Sequence, residues 1–283
     1  MSVEKATFDN YTEAIVGIKH RFGKLITNCL ITTEKMQILN EKGNCALFTS
    51  DTCAFFAVPE HDMLYRLYFH SADNKHLSSG LSIIGKEFSS NKPLVCSITG
   101  TTEYAQSFIP TFKDNGFTLR RRMRRFVYIK SEKNDFSGYK GESRATFAKA
   151  SDTDEIYNML VCYFDVYTQA IPELASIKEN AEKDQISVIK KDGKIAALLY
   201  YEVHGSSLYN IFEVVDESFR GELINIELMA HRDEHIKIKG YNIKLQYGWR
   251  DMDNDKLIKL GEFHAKRWGT RPGDTVIYTF FRE

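Results

Sequence analysis

Residues 207–231 constrain the fold of this chain more than any other stretch, because a buried strand there leads directly into a helix. Residues 208–215 form a nearly continuous apolar and β-branched run, which is the composition of a strand buried on both faces. Residues 216–218 then supply turn and helix-capping chemistry. Apolar residues recur at helical spacing over residues 223–229. This pattern predicts a strand, a turn and a helix in immediate succession.

The turn and the helix start carry a sequence motif. Unpaired backbone N–H groups and a partial positive charge let a helix N-terminus bind an anion such as a pyrophosphate. The run Val-Val-Asp-Glu-Ser-Phe-Arg-Gly-Glu-Leu-Ile-Asn at residues 214–225 resembles the acetyl-CoA-binding motif of the GCN5-related N-acetyltransferases, a hydrophobic strand followed by Arg-Gly-x-Gly-x-Gly/Ala. Arg220 and Gly221 match this motif. Leu223 and Asn225 depart from it, because they stand where the family has its later small residues.

The resemblance implies that acetyl-CoA is the cofactor. An ordinary strand–helix unit with an incidental Arg-Gly pair is the alternative interpretation of the same residues. Under the resemblance, the expected coenzyme-binding residues are Val214, Val215, Phe219, Arg220, Gly221, Glu222, Leu223, Asn225 and Asn254.

Composition excludes several classes of protein. Lys plus Arg and Asp plus Glu each total 38, so no net field attracts nucleic acid or an anionic membrane, and we expect neither DNA nor a membrane as a partner. The five cysteines are scattered without a Cys-x-x-Cys pair, so we expect reduced thiols and no metal site. The sequence contains neither a signal peptide nor an apolar run of membrane-spanning length. A cytoplasmic location is the resulting prediction.

A polar segment at residues 131–142 predicts a linker between two domains, residues 1–135 and 142–283. The second domain shows the order strand, helix, three strands, helix, strand, helix, strand, with a strand predicted at residues 241–247. An Asp192-Gly193 turn indicates a hairpin between the second and third strands of this domain. The order resembles the fold of the GCN5-related N-acetyltransferases.

The first half of the chain repeats this order at very low residue identity. Helices are predicted at residues 11–29, 71–88 and 103–115, and strands at residues 45–50, 53–58, 63–70, 93–98 and 118–130. No Arg-Gly stands at the turn equivalent to the motif, so we expect no coenzyme in this half. The predicted fold is α/β, an α+β arrangement with a mixed sheet, formed by two tandem acyl-CoA N-acyltransferase-like domains of which the first is degenerate.

An arginine cluster lies on the last strand predicted in the first half, at positions 120, 121, 122, 124 and 125. Such a cluster can form a nucleic-acid patch, or it can form a solvated or interdomain face through alternation along the strand. The zero net charge favours the second interpretation.

Amine acylation needs a base for the ammonium group and an acid for the leaving thiolate. The resemblance implies a Tyr acid on the last helix in Asn-x-x-Ala-x-x-Leu-Tyr, but Gly261 stands where that Tyr is expected. His264, one turn further on, is a candidate acid or base. Glu213 and Tyr209, on the central strand, are candidates for the base or for substrate contact. Each of the three has an ordinary structural role as its alternative.

Three functions remain open from the sequence. The first is an acetyl-CoA-dependent N-acyltransferase that acts on a small-molecule or peptide amine. The second is a catalytically inactive binding or scaffold protein with the same folds, which the departures at Leu223, Asn225 and Gly261 favour. The third is an aminoacyl-tRNA-dependent transferase, in which the arginine cluster contacts tRNA and binding depends on salt. Neither the acceptor nor the acyl chain can be assigned from the sequence.

Overall fold

The structure is a computed structural model that describes residues 4–41, 43, 45–87, 92–129, 136, 141, 143–220 and 224–283. The chain forms two compact units. Unit 1 consists of Met1–Arg122 and Asp274–Glu283, and unit 2 consists of Met123–Gly273.

The two units differ from the predicted domains in two segments. Residues 123–129 fall within unit 2, although the first domain was predicted to extend to residue 135. Residues 274–283 fall within unit 1, although they were predicted to close the second domain. The difference has a physical cause. A strand joins the strands with which its backbone forms hydrogen bonds, and these need not be its neighbours in the sequence. The predicted linker at residues 131–142 lies almost entirely outside the described residues.

The first part of the chain alternates short helices with strands. Its elements are β1 (Glu4–Lys5), α1 (Phe8–Phe22), β2 (Ile26–Thr27), α2 (Thr33–Glu41), β3 (Ala46–Thr49), β4 (Cys53–Glu60), β5 (Leu64–Ser71), α3 (Asn74–Glu87), β6 (Leu94–Thr101), α4 (Thr102–Gln106), α5 (Ile109–Asp114) and β7 (Thr118–Ile129).

The second part contains the hairpin and the strand–turn–helix. Its elements are β8 (Ala145–Phe147), α6 (Thr153–Tyr163), α7 (Leu174–Glu182), β9 (Ile186–Lys191), β10 (Lys194–His204), β11 (Ser207–Val215), α8 (Ile224–Ile238), β12 (Leu245–Asp251), α9 (Asp255–Trp268) and β13 (Arg271–Arg282).

Unit 1 is built on a mixed sheet with the strand order β1, β3, β4, β5, β6, β13, and β2 pairs with β5. Helices α1 and α2 cover one core, which includes the fully buried Tyr11 and Phe56. Aromatic residues fill a second cluster, in which Phe112 stacks on Phe280 with ring centroids 4.4 Å apart. The predicted meander of three strands is confirmed as β3, β4 and β5.

Unit 2 is also built on a mixed sheet, in which part of β7 is followed by β12, β11, β10, β9 and β8. One core packs against α6 and α7 and contains Tyr200 and Phe212. The core on the opposite face packs against α8 and contains Leu199 and Leu228. The predicted β9–β10 hairpin is confirmed, and Asp192 and Gly193 both have positive φ, as its tight turn requires.

Several predicted elements have different bounds. The helix predicted at residues 11–29 ends at Phe22, because Gly23 (φ 75°) caps it. The helix predicted at residues 103–115 is divided into α4 and α5. The strand predicted at residues 241–247 is β12 at Leu245–Asp251, since its pairing with β11 begins at Leu245. Elements β1, β2, α2 and α7 were not predicted.

Candidate active site

A gap opens between the parallel strands β11 and β12. The strands pair only along Ser207–Tyr209 and Leu245–Tyr247. Beyond that point β11 pairs with β10, and β12 pairs with β7. We call the gap between residues 210–215 of β11 and residues 248–251 of β12 the wedge. Among the described residues no strand pairs with this edge of β11, so its backbone groups lack a partner strand.

Two local features of the strands shape the wedge. Asn210 pairs with Tyr201 and Phe212 pairs with Tyr200, so Ile211 is an extra residue in β11. Such a bulge bends its strand and raises the local twist. On β12, a Cβ atom at Gly248 would lie 3.3 Å from the carbonyl oxygen of Asn210. The absence of a side chain at Gly248 therefore lets the two strands approach closely where the wedge begins.

A buried arginine links both strands at the base of the wedge. Arg232 of α8 is only 1% exposed, and its Nη1 donates to Asn210 Oδ1 on β11 at 2.8 Å. Its Nη2 donates to Gln246 Oε1 on β12 at 3.3 Å. The neighbouring Asp233 compensates the charge, because its Oδ1 accepts from Arg232 Nε at 2.9 Å and from Nη2 at 2.7 Å. We call these four residues the arginine clamp.

Glu213 is the acidic residue that β11 contributes to the wedge. It lies opposite Leu199, a residue of the core against α8, so it is on the α8 face of β11. The side chain of Asn225, in the first turn of α8, interacts with the carboxyl group of Glu213 and acts to lower its pKa. Desolvation by the surrounding protein raises the pKa of Glu213, although Arg232 and Arg250 oppose the shift. With its raised pKa and a side chain that remains accessible to solvent, this carboxyl group is better suited to accepting a proton than an ordinary glutamate is.

Tyr209 lies on the opposite face of β11 from Glu213. It pairs with Glu202, and its ring stacks on Tyr247 with centroids 4.9 Å apart and planes 6° from parallel. The side chain of Trp249 interacts with the hydroxyl group of Tyr209 and acts to lower its pKa. Burial raises the pKa of Tyr209, so the phenol is neutral at physiological pH. A neutral phenol is suited to donating a hydrogen bond and not to acting as a base.

His264 lies against an arginine and not in an open position. Its Nδ1 accepts a hydrogen bond from Arg250 Nη2 at 2.6 Å, and its ring lies 4.3 Å from that of Trp268. Burial, together with the charge of Arg250, lowers the pKa of His264 to about 4. At neutral pH His264 is therefore an uncharged acceptor that orients Arg250.

Arg250 occupies the space beside Gly261. Its Nη2 also donates to Tyr128 Oη at 3.0 Å, and its guanidinium group lies 4.7 Å from the centroid of the Phe126 ring. A Cβ atom at Gly261 would be 2.8 Å from Arg250 Nη1 and 3.2 Å from Phe126. At Gly261, where the resemblance implies a Tyr, the Arg250 guanidinium therefore occupies the space that a side chain would need.

The turn between β11 and α8 is held by hydrogen bonds from a preceding helix. Tyr163 at the end of α6 donates its hydroxyl hydrogen to Asp216 Oδ2 at 3.0 Å and accepts from the backbone N–H of Glu217 at 3.1 Å. Arg220 is exposed, and its Nη1 lies 3.0 Å from Glu217 Oε1. An exposed pair of this kind is weak, so the guanidinium of Arg220 can exchange partners at little cost.

The expected coenzyme-binding residues lie in different environments. Val214, Val215 and Phe219 pack in the cores on either side of the strand. Arg220 is exposed at the turn, and Asn225 contacts Glu213. Asn254 caps α9, because its Oδ1 accepts from the backbone N–H groups of Lys256 and Leu257. Gly221, Glu222 and Leu223 lie outside the described residues.

The remaining predictions concern arginines, metals and membranes. The side chain of Arg120 is exposed and those of Arg121, Arg122, Arg124 and Arg125 are half-buried, so the solvated or interdomain face stays a prediction. Within the described residues no group of His, Cys, Asp and Glu side chains could hold a metal ion. The helices of the described ranges include none with the length and apolarity to cross a bilayer.

Sequence reasoning missed the arginine clamp and Arg250. A charged residue in a helix is ordinarily on a solvated face, and Arg232 was therefore passed over. The available signal was the apolar composition of α8, which is spread around the helix and indicates burial on more than one side. Arg250 carried no such signal, because its importance depends on Gly261 and His264 of a different element.

Comparison with solved structures identifies the fold. A GCN5-related N-acetyltransferase from Sphaerobacter thermophilus is similar over 100% of this chain and 95% of its own, with a TM-score of 0.61 at 11% identity. A tandem GNAT protein from the clavulanic acid biosynthesis pathway is similar over 100% and 98%, with a TM-score of 0.60 at 9% identity. A GCN5-related N-acetyltransferase from Kribbella flavida is similar over 87% and 95%, with a TM-score of 0.53 at 14% identity.

No family model matches the sequence, and no curated protein matches it significantly. At such low identities the solved structures establish the fold alone. They agree with the mixed α/β sheets of both units and with the predicted tandem organisation. The chain therefore has the tandem fold of the GCN5-related N-acetyltransferases.

Proposed function

We propose that this protein is an acyl-CoA-dependent N-acyltransferase, with acetyl-CoA as the expected donor and an amine as the acceptor. The observation that carries the proposal is the wedge, where the edge of β11 from residue 210 to residue 215 has no partner strand in the described part of unit 2. Unpaired backbone groups on a strand edge bind extended, amide-containing ligands by adding hydrogen bonds. The pantetheine arm of coenzyme A is such a ligand.

The residues of unit 2 fit this coenzyme in two respects. Arg220 lies at the turn before α8, and its exposed ion pair with Glu217 is weak enough for it to exchange that partner for a phosphate. The positive charges of Arg232 and Arg250 partly compensate the negative charge of Glu213. This compensation reduces the repulsion between the wedge and an anionic ligand. The coenzyme would supply an activated thioester, and the protein would supply its orientation.

Glu213 would act as the base in this proposal. An amine acceptor arrives largely as an ammonium ion and must lose a proton before it attacks a carbonyl carbon. A carboxyl group with a raised pKa is better matched to that proton transfer than one with an ordinary pKa. Asn225 would help to position the carboxylate through its side chain. Tyr209, on the other face of the strand, would contact the acceptor.

The test is a thiol-release assay with acetyl-CoA and a panel of amines of different charge and size. We expect turnover with at least one class of amine, and we expect Glu213→Gln to lower kcat by about a hundredfold or more while acetyl-CoA still binds. Glu234→Gln is the matched control, because Glu234 is exposed on α8 and should leave turnover unchanged. Equal activity in the Glu213→Gln variant would contradict the assignment of the base.

The second candidate function is a binding protein that holds acyl-CoA without turnover. The packing of Arg250 against Gly261 favours it, because no Tyr side chain is available there to protonate a leaving thiolate. Binding of acetyl-CoA without thiol release for any amine in the panel would support this alternative over the enzyme. The tRNA-dependent reading gains no support from the arginine cluster, since four of its five side chains are half-buried.

A further inference from the structure

Unit 1 contains its own pair of parallel strands that part after a short ladder. Strand β5 pairs with β6 only at Tyr65 with Leu94 and at Arg66 with Val95. Beyond these positions β5 pairs with β4 on one edge, and β6 pairs with β13 on its far edge. The β5–β6 pair of unit 1 thus has the same arrangement as the β11–β12 pair of unit 2. We call the space after this short ladder the unit 1 gap.

A single asparagine spans the unit 1 gap. Asn28 Nδ2 donates to the carbonyl oxygen of Leu67 on β5 at 2.9 Å and to that of Ser97 on β6 at 3.2 Å. Asn28 Oδ1 accepts from the backbone N–H of Phe69 on β5 at 2.7 Å. The side-chain amide thereby bonds the backbone groups that the parting of the strands would otherwise leave unpaired. Asn28 is only 7% exposed, so these bonds are shielded from water.

The residues before Asn28 hold it in this position. Strand β2 pairs antiparallel with β5, with Ile26 opposite Ser71 and Thr27 opposite His70. Thr27 Oγ1 donates to the carbonyl oxygen of Phe69 at 2.6 Å. The hydroxyl group of Tyr104, in the helix after β6, donates to the carbonyl oxygen of Thr27 at 3.2 Å. Segment 26–28 therefore forms hydrogen bonds with β5, with β6 and with α4.

We propose that segment 26–28 is a built-in occupant of the unit 1 gap, so that each chain binds one acyl-CoA molecule, in unit 2. The stoichiometry part of this inference rests on the proposed function. A ligand that enters the unit 1 gap has to compete with segment 26–28, because it must displace hydrogen bonds that this segment already forms and that are buried. A ligand entering the wedge meets β11 backbone groups that lack a strand partner in the described structure. The first exchange gains little, whereas the second adds hydrogen bonds.

Native mass spectrometry with acetyl-CoA measures the stoichiometry. We expect one molecule per chain and, in the Arg220→Ala variant, weaker binding without a second site. Hydrogen exchange with acetyl-CoA should slow in peptides of β11 and should be unchanged in peptides that cover β5 and β6. Two molecules per chain, or protection by the ligand in β5 and β6, would overturn the proposal.

Hydrogen exchange without ligand tests the occupant independently of acyl-CoA. The amide of Phe69 should be strongly protected in the free protein, and it should exchange about tenfold faster or more in Asn28→Ala, because its buried acceptor is removed. Asn10→Ala is the control, since Asn10 is exposed on α1 and should leave this amide unchanged. If no acetyl-CoA binds, the proposed function fails. Rapid exchange of the Phe69 amide in the wild-type chain would show that segment 26–28 does not occupy the gap.

Discussion

Replacing Arg232 with methionine should strongly destabilise unit 2, because the arginine clamp is buried. The side chains of Arg232 and Asp233 are 1% and 0% exposed. Removal of one partner leaves the other charge uncompensated in the interior, which costs about 3 to 5 kcal/mol. The bonds from Arg232 to Asn210 and Gln246 are lost as well. Since domains have stabilities of about 5 to 15 kcal/mol, a loss of this size brings unit 2 close to unfolding.

Intrinsic fluorescence measures this loss in unit 2 alone. The chain has two tryptophans, Trp249 and Trp268, and both belong to unit 2. Urea unfolding followed by their emission therefore reports the unit that contains the clamp. The control is Lys183→Met, which removes an ion pair of similar length, 2.6 Å, whose partners are both more than half exposed. We expect it to cost less than about 1 kcal/mol.

A double variant separates the buried charge from the lost hydrogen bonds. Arg232→Met with Asp233→Asn removes both charges, so it should recover part of the stability that Arg232→Met loses. A loss below about 1 kcal/mol in Arg232→Met would refute the argument, since no buried unpaired charge costs so little. A double variant less stable than the single one would also contradict it.

Three further predictions concern the neighbouring residues. The free energy of unfolding should fall as the pH is lowered from about 6.5 towards 4, because the unfolded chain protonates His264 at its ordinary pKa while the folded chain does so only near 4. Urea titrations should show a loss from this residue of about 2 kcal/mol at pH 5. A flat profile in that range would contradict the burial of His264. Arg220→Ala should weaken CoA binding by about 1 to 3 kcal/mol in calorimetry, with wild-type affinity as the contrary result. Gly261→Ala should displace Arg250 and raise the pKa of His264 in an NMR titration, and an unchanged pKa would show that the guanidinium had not moved.

Local sequence signals located most elements correctly where the deciding residues are adjacent in the chain. The Asp192-Gly193 turn fixes a hairpin because both residues adopt positive φ, a property of the dipeptide itself. The start of β12 was displaced by four residues because the ladder begins opposite Ser207, and this partner is distant in sequence. The order of elements was sufficient to indicate the acetyltransferase fold, which the solved structures support.

The candidate site was only partly predictable for the same reason. Glu213 and Tyr209 were found because they lie on the strand that carries the motif. Which face of β11 each occupies depends on the bulge at Ile211, and no residue type marks that bulge. Asn28 was included in the helix predicted at residues 11–29, and its actual role appears only when β5 and β6 are both in place.

Hydrogen exchange of unit 2 with and without coenzyme A tests the central claim most directly. If the coenzyme lies in the wedge, peptides that cover residues 210–215 should exchange more slowly in its presence, because unpaired backbone groups of β11 become hydrogen-bonded. Peptides from α7, on the far side of the unit 2 sheet from α8, should be unaffected. Binding that protects other segments and leaves residues 210–215 unchanged would contradict the assignment of the wedge as the acyl-CoA site.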